Sequence, residues 1–224
     1  MDWQAIWLTA RLAALVSAIL LIISLPLAHW LAFSRRRWTF LVESVVSLPL
    51  VLPPTVLGFY LLMAMGTRSP IGRWWASWTG HGLAFTFEGL VIASVFYSLP
   101  FAVQPIAAAF AQVDGSLREA SAILGSSRLR TFARVTLPLS IEGVIAGAVL
   151  SFAHTVGEFG VVLMVGGSLP GVTRTVSIAI YDDVQALRYR EANQTALALL
   201  AFSLLVLLLV HGLRRRPLTA PTTI

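Results

Sequence analysis

Cysteine and lysine are both absent from this sequence of 224 residues, and only 12% of its residues are charged. Without cysteine, the chain can form no disulfide, thiolate metal site or cysteine nucleophile. Without lysine, it has no Walker A loop, whose lysine contacts nucleotide phosphates, and no Schiff-base chemistry. Soluble domains carry about 25% charged residues, so the composition excludes an ordinary soluble domain.

Long apolar stretches are what the sequence has instead of charge. Hydrophobic residues make up 57% of the chain, and its mean hydropathy is +0.82. Several stretches exceed the ~18 residues that a membrane-spanning helix needs. We therefore predict an all-α integral membrane protein with a single transmembrane domain over residues 1–224. The predicted spans are Leu8–Phe33, Glu43–Met65, Leu83–Phe110, Ile141–Val165 and Asn193–Leu213.

The first apolar run resembles the core of a signal peptide, but it continues to Phe33 without a convincing cleavage site. We interpret it as a retained span.

Arginine placement predicts how these spans are oriented. Ten of the sixteen basic residues fall in the segments that a five-span chain places on one side of the membrane. Under the positive-inside rule that side is the cytoplasm, so we expect the N-terminus outside the bacterial inner membrane and the C-terminus inside. The net charge of +6 then reflects topology, and we expect no nucleic-acid partner. The ten are Arg35, Arg36 and Arg37 after span 1, Arg118, Arg128, Arg130 and Arg134 between spans 3 and 4, and Arg214, Arg215 and Arg216 after span 5.

Prolines interrupt two of the spans. Span 2 carries Pro49, Pro53 and Pro54, and span 3 carries Pro100 and Pro105. Proline removes a backbone donor and clashes with the preceding turn, so we expect both helices to be kinked or locally unwound. Either kink alone is as well explained by ordinary packing, but two broken spans favour helices that line a pathway. Pro53, Pro54 and the adjacent Thr55 are therefore candidate pathway residues.

Two further patterns concern packing. Gly143 and Gly147 begin span 4 at GxxxG spacing, which favours close helix contact within one subunit over dimerisation. The segment from Val176 to Leu187 is too short and too polar to span, and we predict a short amphipathic helix at the outer surface.

His154 and Glu158 lie four residues apart in span 4 and are candidate pathway or gate residues. A charged group at membrane depth costs ~2.5–3.5 kcal/mol on translocon scales, so it usually faces a cavity or a partner. We favour a structural His–Glu pair or a gate-positioning role over contact with an anionic cargo, which Glu158 would repel. We expect no metal site, because His29, His81 and His211 lie near other span ends.

The segment from residue 114 to 138 is helical in pattern but cannot span. Ser116 and Glu119 form a capping-box pattern, and Gly125 suits a helix C-terminus. A second short helix can start at Ser126 or Ser127 and end at Leu137-Pro138. The pattern predicts a helical hairpin with an apolar knob and a basic rim. The alternative is a basic amphipathic linker that rests on membrane lipid.

The spacing within this segment resembles the EAA motif of bacterial ABC-importer permeases. Glu119-Ala120 is followed after four residues by Gly125, and nine residues later by Val135-x-Leu137-Pro138. Ser121 and Val135 are mild departures from the motif. The resemblance implies a type I ABC-importer permease fold, with a cytoplasmic coupling helix that docks on an ATPase. It also implies coupling roles for residues that match or flank the motif: Glu119, Ala120, Gly125, Arg128, Leu137 and Pro138.

Three further segments, Pro49–Gly58, Gly157–Gly160 and Ala179–Asp182, resemble the molybdate permeases and, more broadly, the molybdate/tungstate/sulfate group. The resemblance implies a homodimer that works with cytoplasmic ATPase subunits and a periplasmic oxyanion-binding protein. ATP and Mg would be bound by the ATPase, with no cofactor and no bond chemistry in this chain. The alternatives are a tungstate or sulfate/thiosulfate permease, a stand-alone secondary transporter or channel, or a membrane enzyme.

Overall fold

The computed structural model describes residues 2–34 and 36–214. Within these ranges the chain is helical, without a strand, and a π-helical segment at Phe132–Thr136 joins α7 to α8. The helices are α1 (Trp3–Phe33), α2 (Thr39–Val51), α3 (Pro54–Met65), α4 (Pro70–Thr79), α5 (Phe87–Ala111), α6 (Gly115–Ile123), α7 (Arg128–Thr131), α8 (Leu137–Leu139), α9 (Ile141–Gly157), α10 (Gly160–Gly166), α11 (Val176–Gln185) and α12 (Tyr189–Arg214).

Three long apolar helices, α1, α5 and α9, pack together as the centre of the bundle. Leu12, Val16 and Leu20 lie one turn apart on α1 and are fully buried against Leu90 of α5. At the other end of these helices, Phe110 is buried beside Val103 and Ile106. Buried apolar side chains thus run the whole length of the α1–α5 contact and hold the two helices together.

Small residues set the contact between α9 and α5. A Cβ at Gly143 would overlap the Ala109 side chain and come within 2.9 Å of the Pro105 carbonyl oxygen. A Cβ at Gly147 would come within 2.8 Å of the Ala102 carbonyl oxygen. The prediction that this GxxxG pair packs within one subunit is confirmed, because both glycines admit the backbone of α5.

Span 2 is broken, as its prolines predict. Helix α2 ends at Val51, α3 begins at Pro54, and the two helices meet at a bend of 112°. Span 3 differs from the prediction: α5 runs without interruption from Phe87 to Ala111 through Pro100 and Pro105. Pro100 and Pro105 therefore do not unwind α5.

Span 4 is also divided. Helix α9 ends at Gly157, α10 starts at Gly160, and a bend of 74° separates α9 from the hairpin helix that precedes it. By length and hydropathy, three described helices could each cross a membrane, or five if each bent pair counts as one span. The predicted boundaries are close to the observed ones, although α1 begins five residues earlier than span 1 and α5 begins four residues later than span 3.

The end of the bundle that carries the N-terminus is closed by polar contacts, and we call it the Asp2 end. Arg174 pairs with Asp2 at 3.7 Å and with Asp182 at 3.2 Å, and the Thr9 hydroxyl accepts a hydrogen bond from the Val176 amide at 2.9 Å. Helix α11 is the predicted amphipathic helix and packs here on α1, α9 and α12. The opposite end, where α1 and α5 finish, carries α6–α8 and is the hairpin end.

Candidate functional site: a coupling hairpin and a central cavity

Asp114 begins the hairpin at the end of α5. Its carboxylate accepts a hydrogen bond from the Ser116 amide at 2.9 Å, and this contact lowers the pKa of the Asp114 carboxyl. The prediction of a capping box from Ser116 to Glu119 is wrong. Asp114 supplies the acceptor two residues earlier, so the helix begins at Gly115 and the Ser116 amide is already satisfied.

Gly125 ends the first helix of the hairpin, as predicted. Its φ of 76° is left-handed, its amide donates to the Ala122 carbonyl at 2.9 Å, and the Ser126 amide donates to the Ser121 carbonyl at 3.1 Å. These two bonds form a Schellman motif, which favours glycine at the left-handed position. The Ser127 hydroxyl then caps α7 by accepting from the Arg130 amide at 3.3 Å. Sequence had left Ser126 and Ser127 open as the start of this helix.

The second helix of the hairpin does not end at Leu137-Pro138. The chain turns through the π-helical segment, continues in α8 to Leu139 and breaks at Ser140. The Ser140 hydroxyl donates to the Ala109 carbonyl of α5 at 3.2 Å, and Thr136 is buried. Pro138 lies in the first turn of α8, directly after the π-helical segment. The hairpin is therefore joined to α9 by the single residue Ser140.

The apolar tip of the hairpin is bare. Ile123, Leu124 and Leu129 expose 85%, 84% and 77% of their surface, whereas Phe132 turns inward onto Phe110. Apolar groups exposed to this degree on a capped, hydrogen-bonded turn are typical of an interaction surface. The motif residues are mostly accessible as well: Glu119, Ala120, Gly125, Arg128 and Pro138 are exposed, and Leu137 is half-buried.

The breaks in spans 2 and 4 face each other in the middle of the bundle. A Cβ at Gly160 would come within 2.7 Å of the Pro54 Cβ, and a Cβ at Gly58 within 2.7 Å of the Met164 Cβ. Helices α3 and α10 thus start side by side and pack along their length. Beside this contact lies a cavity of about 510 Å³, the central cavity. It is lined by Pro54, Thr55, Tyr97, His154, Glu158 and Phe159, with glycines and Ala153 between them.

The structure therefore brings four of the five candidate pathway residues to one cavity: Pro54, Thr55, His154 and Glu158. Pro53 is exposed and caps the start of α3 just outside the lining. Thr55 is also exposed, although it lies at the depth of the broken spans. A polar side chain exposed at that depth faces protein or water rather than lipid. The cavity is open on one side of this chain.

His154 and Glu158 do not form the expected pair. The His154 ring stacks on Phe101 with centroids 3.8 Å apart, and its Nδ1 lies 2.9 Å from the Ser98 hydroxyl. Because α9 ends at Gly157, Glu158 has extended backbone and leaves the helical face that carries His154. The four-residue spacing predicts a pair only in an unbroken helix, and the helix end at Gly157 separates His154 from Glu158.

Glu158 is buried at 3% exposure, and neither carboxylate oxygen has a hydrogen-bond partner among the described residues. The buried Ser94 hydroxyl interacts with this carboxyl, at a geometry short of a regular hydrogen bond. A buried acid without a cation is costly unless it is neutral or solvated, so Glu158 adds a polar group to a wall that already carries Thr55, Tyr97 and His154. In the described part of the chain, no group of three or more His, Asp or Glu residues could hold a metal ion.

Span 3 contributes residues that sequence reasoning missed. Tyr97 lines the cavity, Phe101 stacks on His154, and Ser98 bonds both His154 and Thr155. The available signal was polarity: Ser94 and Ser98 lie one turn apart within a strongly apolar helix, which marks a face turned toward a polar site.

The chain belongs to the family described as the binding-protein-dependent transport system inner membrane component, whose model matches residues 21–216. It is therefore a multi-pass membrane component of a transport system. The role of this family is transport and not catalysis. Two curated relatives are described as molybdenum transport system permease protein ModB. The protein from Azotobacter vinelandii is 50% identical over 96% of this chain and 95% of its own length. The protein from Escherichia coli (strain K12) is 40% identical over 82% of this chain and 80% of its own length.

Solved structures share the fold. A bacterial ABC transporter involved in the import of the acidic polysaccharide alginate has a chain that matches 97% of this one, with a TM-score of 0.75 and 19% identity over 79% of that chain. An amino acid ABC transporter with histidines matches 95% of this chain and 92% of its own, with a TM-score of 0.60 and 19% identity. The all-α fold is thus that of ABC-importer permeases, as the sequence predicts.

Proposed function

We propose that this chain is the permease subunit of an ATP-driven importer of molybdate. The observation that carries the proposal is the bare apolar tip of the hairpin, formed by Ile123, Leu124 and Leu129, on a chain whose relatives are molybdenum transport permeases. A capped hairpin that presents three apolar side chains to solvent needs a soluble partner to cover them. That partner, by this proposal, is a cytoplasmic ATPase subunit that binds the ATP and Mg.

The hairpin is built to transmit movement to the central cavity. Its second helix leads into α9, and α9 ends at the cavity with His154 and the Glu158 break. Ser140 ties the joint between hairpin and α9 to the Ala109 carbonyl of α5. A shift of the tip therefore moves α9 and the end of α5 together as a body, which is the kind of small helix shift that switches access in packed proteins.

The pathway proposal rests on the face of α5 that meets the cavity. Tyr97 lines the central cavity and Phe101 stacks on its His154. Gln104 follows on the same face of α5, exposed, where its amide donates to the Ser47 hydroxyl at 3.1 Å. Thr55 and Gln104, both exposed, and the half-buried Ser47 are polar groups at membrane depth that favour a second protein surface over lipid. We infer a homodimer in which a second copy closes the open side of the cavity and the two copies enclose the path.

The cavity contains no cation that would hold a dianion tightly, since none of its lining residues is Arg or Lys. Tight capture is then the task of a separate oxyanion-binding protein outside the membrane. At the Asp2 end, Arg174 and Arg188 are engaged in ion pairs with Asp182 and Asp183, whereas Arg68 and Arg73 lie near α4 without an ion pair among the described residues. Arg68 and Arg73 are thus available to a docking partner on that side.

The test uses cells that lack the chromosomal gene for this chain. Uptake of labelled molybdate should return with the wild-type gene and fail with Ile123→Asp combined with Leu124→Asp, which removes the apolar tip. Affinity-tagged wild-type chain should co-purify with the ATPase subunit and with a second, differently tagged copy. Uptake that persists without any ATPase would indicate a stand-alone transporter and overturn the proposal.

The cargo is tested by competition in the same cells. Excess tungstate should compete with molybdate, because both are tetrahedral dianions of similar size, and sulfate should compete weakly. Strong inhibition by sulfate together with direct uptake of labelled sulfate would reassign the cargo and leave the importer class intact.

A further inference from the structure

A second pocket lies at the hairpin end, between the end of α1 and the membrane-facing side of the hairpin. Its volume is about 620 Å³, within the ~300–1,000 Å³ range of small-molecule sites. Three arginines from three different elements line it: Arg36 follows α1, Arg118 lies on α6, and Arg128 begins α7. We call it the arginine pocket.

The positive charge of this pocket is not compensated within the described chain. None of its lining residues is Asp or Glu, and none of its three arginines forms an ion pair among residues 2–34 and 36–214. The Nε of Arg118 is buried and has no hydrogen-bond partner there, while its guanidinium stacks on the Phe33 ring at 3.8 Å. A fixed guanidinium with an unused donor is a preorganised contact for an oxyanion.

Hydroxyl groups complete the polar lining. Ser34, Ser126 and Thr131 reach the same pocket, as does the ring of His29. On the other flank of the hairpin end, a pocket of about 600 Å³ carries Asp114 and Glu142 and no arginine. The anion preference is therefore local to one flank and is not a general feature of this end.

The position of the pocket indicates where its anion comes from. Helix α1, a candidate membrane span, ends at Phe33, so the pocket lies where a bilayer has its headgroups. Trp30 lines the pocket and Trp38 is exposed close by along the chain, as aromatic side chains at a membrane–water interface usually are. Basic pockets between membrane helices at this level bind anionic lipid headgroups.

We propose that the arginine pocket binds the headgroup phosphate of an anionic phospholipid in the leaflet at the hairpin end. Arg118 and Arg36 contact the phosphate, and the acyl chains leave along α1 into the bilayer. The lipid then fixes the hairpin to the end of α1. This site is separate from the apolar tip, since Ile123, Leu124 and Leu129 do not line the pocket. The inference does not depend on which ion is transported; only the naming of the leaflet as cytoplasmic rests on the proposed orientation.

The test is native mass spectrometry of the purified transporter complex titrated with phosphatidylglycerol or with phosphatidylcholine of the same acyl chains. Wild type should retain phosphatidylglycerol in preference to phosphatidylcholine. Arg118→Gln and Arg36→Gln should each weaken phosphatidylglycerol retention by about fivefold, the effect expected for one arginine near a charged headgroup. The Arg36 side chain makes no described hydrogen bond within the chain, so its variant tests the pocket without disturbing the fold.

Arg134→Gln is the matched control, because Arg134 lies exposed on the same hairpin and does not line the pocket. It should retain phosphatidylglycerol like wild type, and Arg118→Lys should retain most of the preference. Equal retention of the two lipids by wild type, or equal loss in Arg134→Gln, would overturn the proposal. Displacement of phosphatidylglycerol by millimolar inorganic phosphate, with phosphate bound in its place, would overturn the lipid assignment in favour of a free oxyanion.

Discussion

The central cavity and the hairpin are stabilised in different ways. At the cavity, half-helices approach so closely that Gly160 leaves no room for a Cβ beside Pro54. At the hairpin, Gly125 has open space around it, and the helix ends are held by capping bonds instead of packing. The cavity is fixed by shape, and the hairpin is a locally stable turn that offers its apolar side chains to a partner. The shape of the cavity depends on the core of this chain, whereas the role of the hairpin depends on the surface of a partner.

The largest effect should come from filling the close contact at the cavity. Gly160→Val forces side-chain carbon against the rigid Pro54 ring, and overpacking of this kind costs about 1–3 kcal/mol. We expect a lower thermal midpoint in detergent and loss of molybdate uptake. Gly157→Ala, on the other side of Glu158, meets nothing within 4 Å in this chain and is the control. Equal melting temperatures for the two variants would show that the contact is not close-packed.

Substitutions at the hairpin tip should weaken binding to the partner and leave the stability of the fold unchanged. Replacing Ile123 and Leu124 by Asp leaves the fold intact, because both side chains are more than 80% exposed and exposed changes usually cost under ~0.5 kcal/mol. Binding to the ATPase should fall by at least about 30-fold, as expected for the loss of apolar anchor residues worth about 2 kcal/mol. The paired readouts are thermal midpoint and ATPase co-purification. Unchanged co-purification would place the ATPase contact elsewhere.

A smaller effect is expected at His154. His154→Phe keeps the stacking on Phe101 and loses the bond to Ser98, whose hydroxyl stays 3.0 Å from Thr155. The cost should be about 1 kcal/mol, the value of one buried hydrogen bond. His154→Ala also removes the stacking and should destabilise the protein more in the same thermal assay. If the two variants have the same melting temperature, the contacts of the His154 ring do not hold α9 against α5.

The smallest effect concerns the Asp114 cap and depends on pH. The folded pKa of Asp114 is lowered by its bond from the Ser116 amide, so the charged cap stabilises the hairpin above the ordinary aspartate pKa, about 3.9. That contribution is lost as the pH falls below this value and through the lowered folded pKa. Hydrogen exchange should then speed up across residues 115–123. Asp114→Asn, which keeps an acceptor but cannot titrate, should remove the pH dependence; the same dependence in that variant would contradict the role of the cap.

Sequence was sufficient for those features that depend on local chemistry. The Gly125 cap, the break at Pro53-Pro54 and the small-residue contact at Gly143 follow from backbone freedom and steric exclusion, and the structure has all three. The helical hairpin followed from spacing. The sequence misplaces its first cap because Asp114 and Ser116 are both good capping residues, and only the geometry of the turn selects between them.

Features that depend on tertiary packing were beyond the sequence. The continuity of α5 through Pro100 and Pro105 does not follow from the proline pattern, and the separation of His154 from Glu158 depends on a helix end that no proline marks. Tyr97 and Phe101 of the cavity were missed for the same reason, since an aromatic residue in an apolar span signals nothing until its neighbour is known. The predicted role of Arg35, Arg215 and Arg216 in orientation lies outside the described residues.

The central claim is that the apolar tip couples ATP hydrolysis on a partner to movement at the central cavity. Its most direct test is uptake of labelled molybdate into proteoliposomes that contain this chain, its ATPase and the external binding protein. Uptake should require ATP and stop when a non-hydrolysable analogue replaces it, and the Ile123→Asp, Leu124→Asp variant should take up none. ATP-independent uptake at the wild-type rate, or full uptake by the tip variant, would contradict the account.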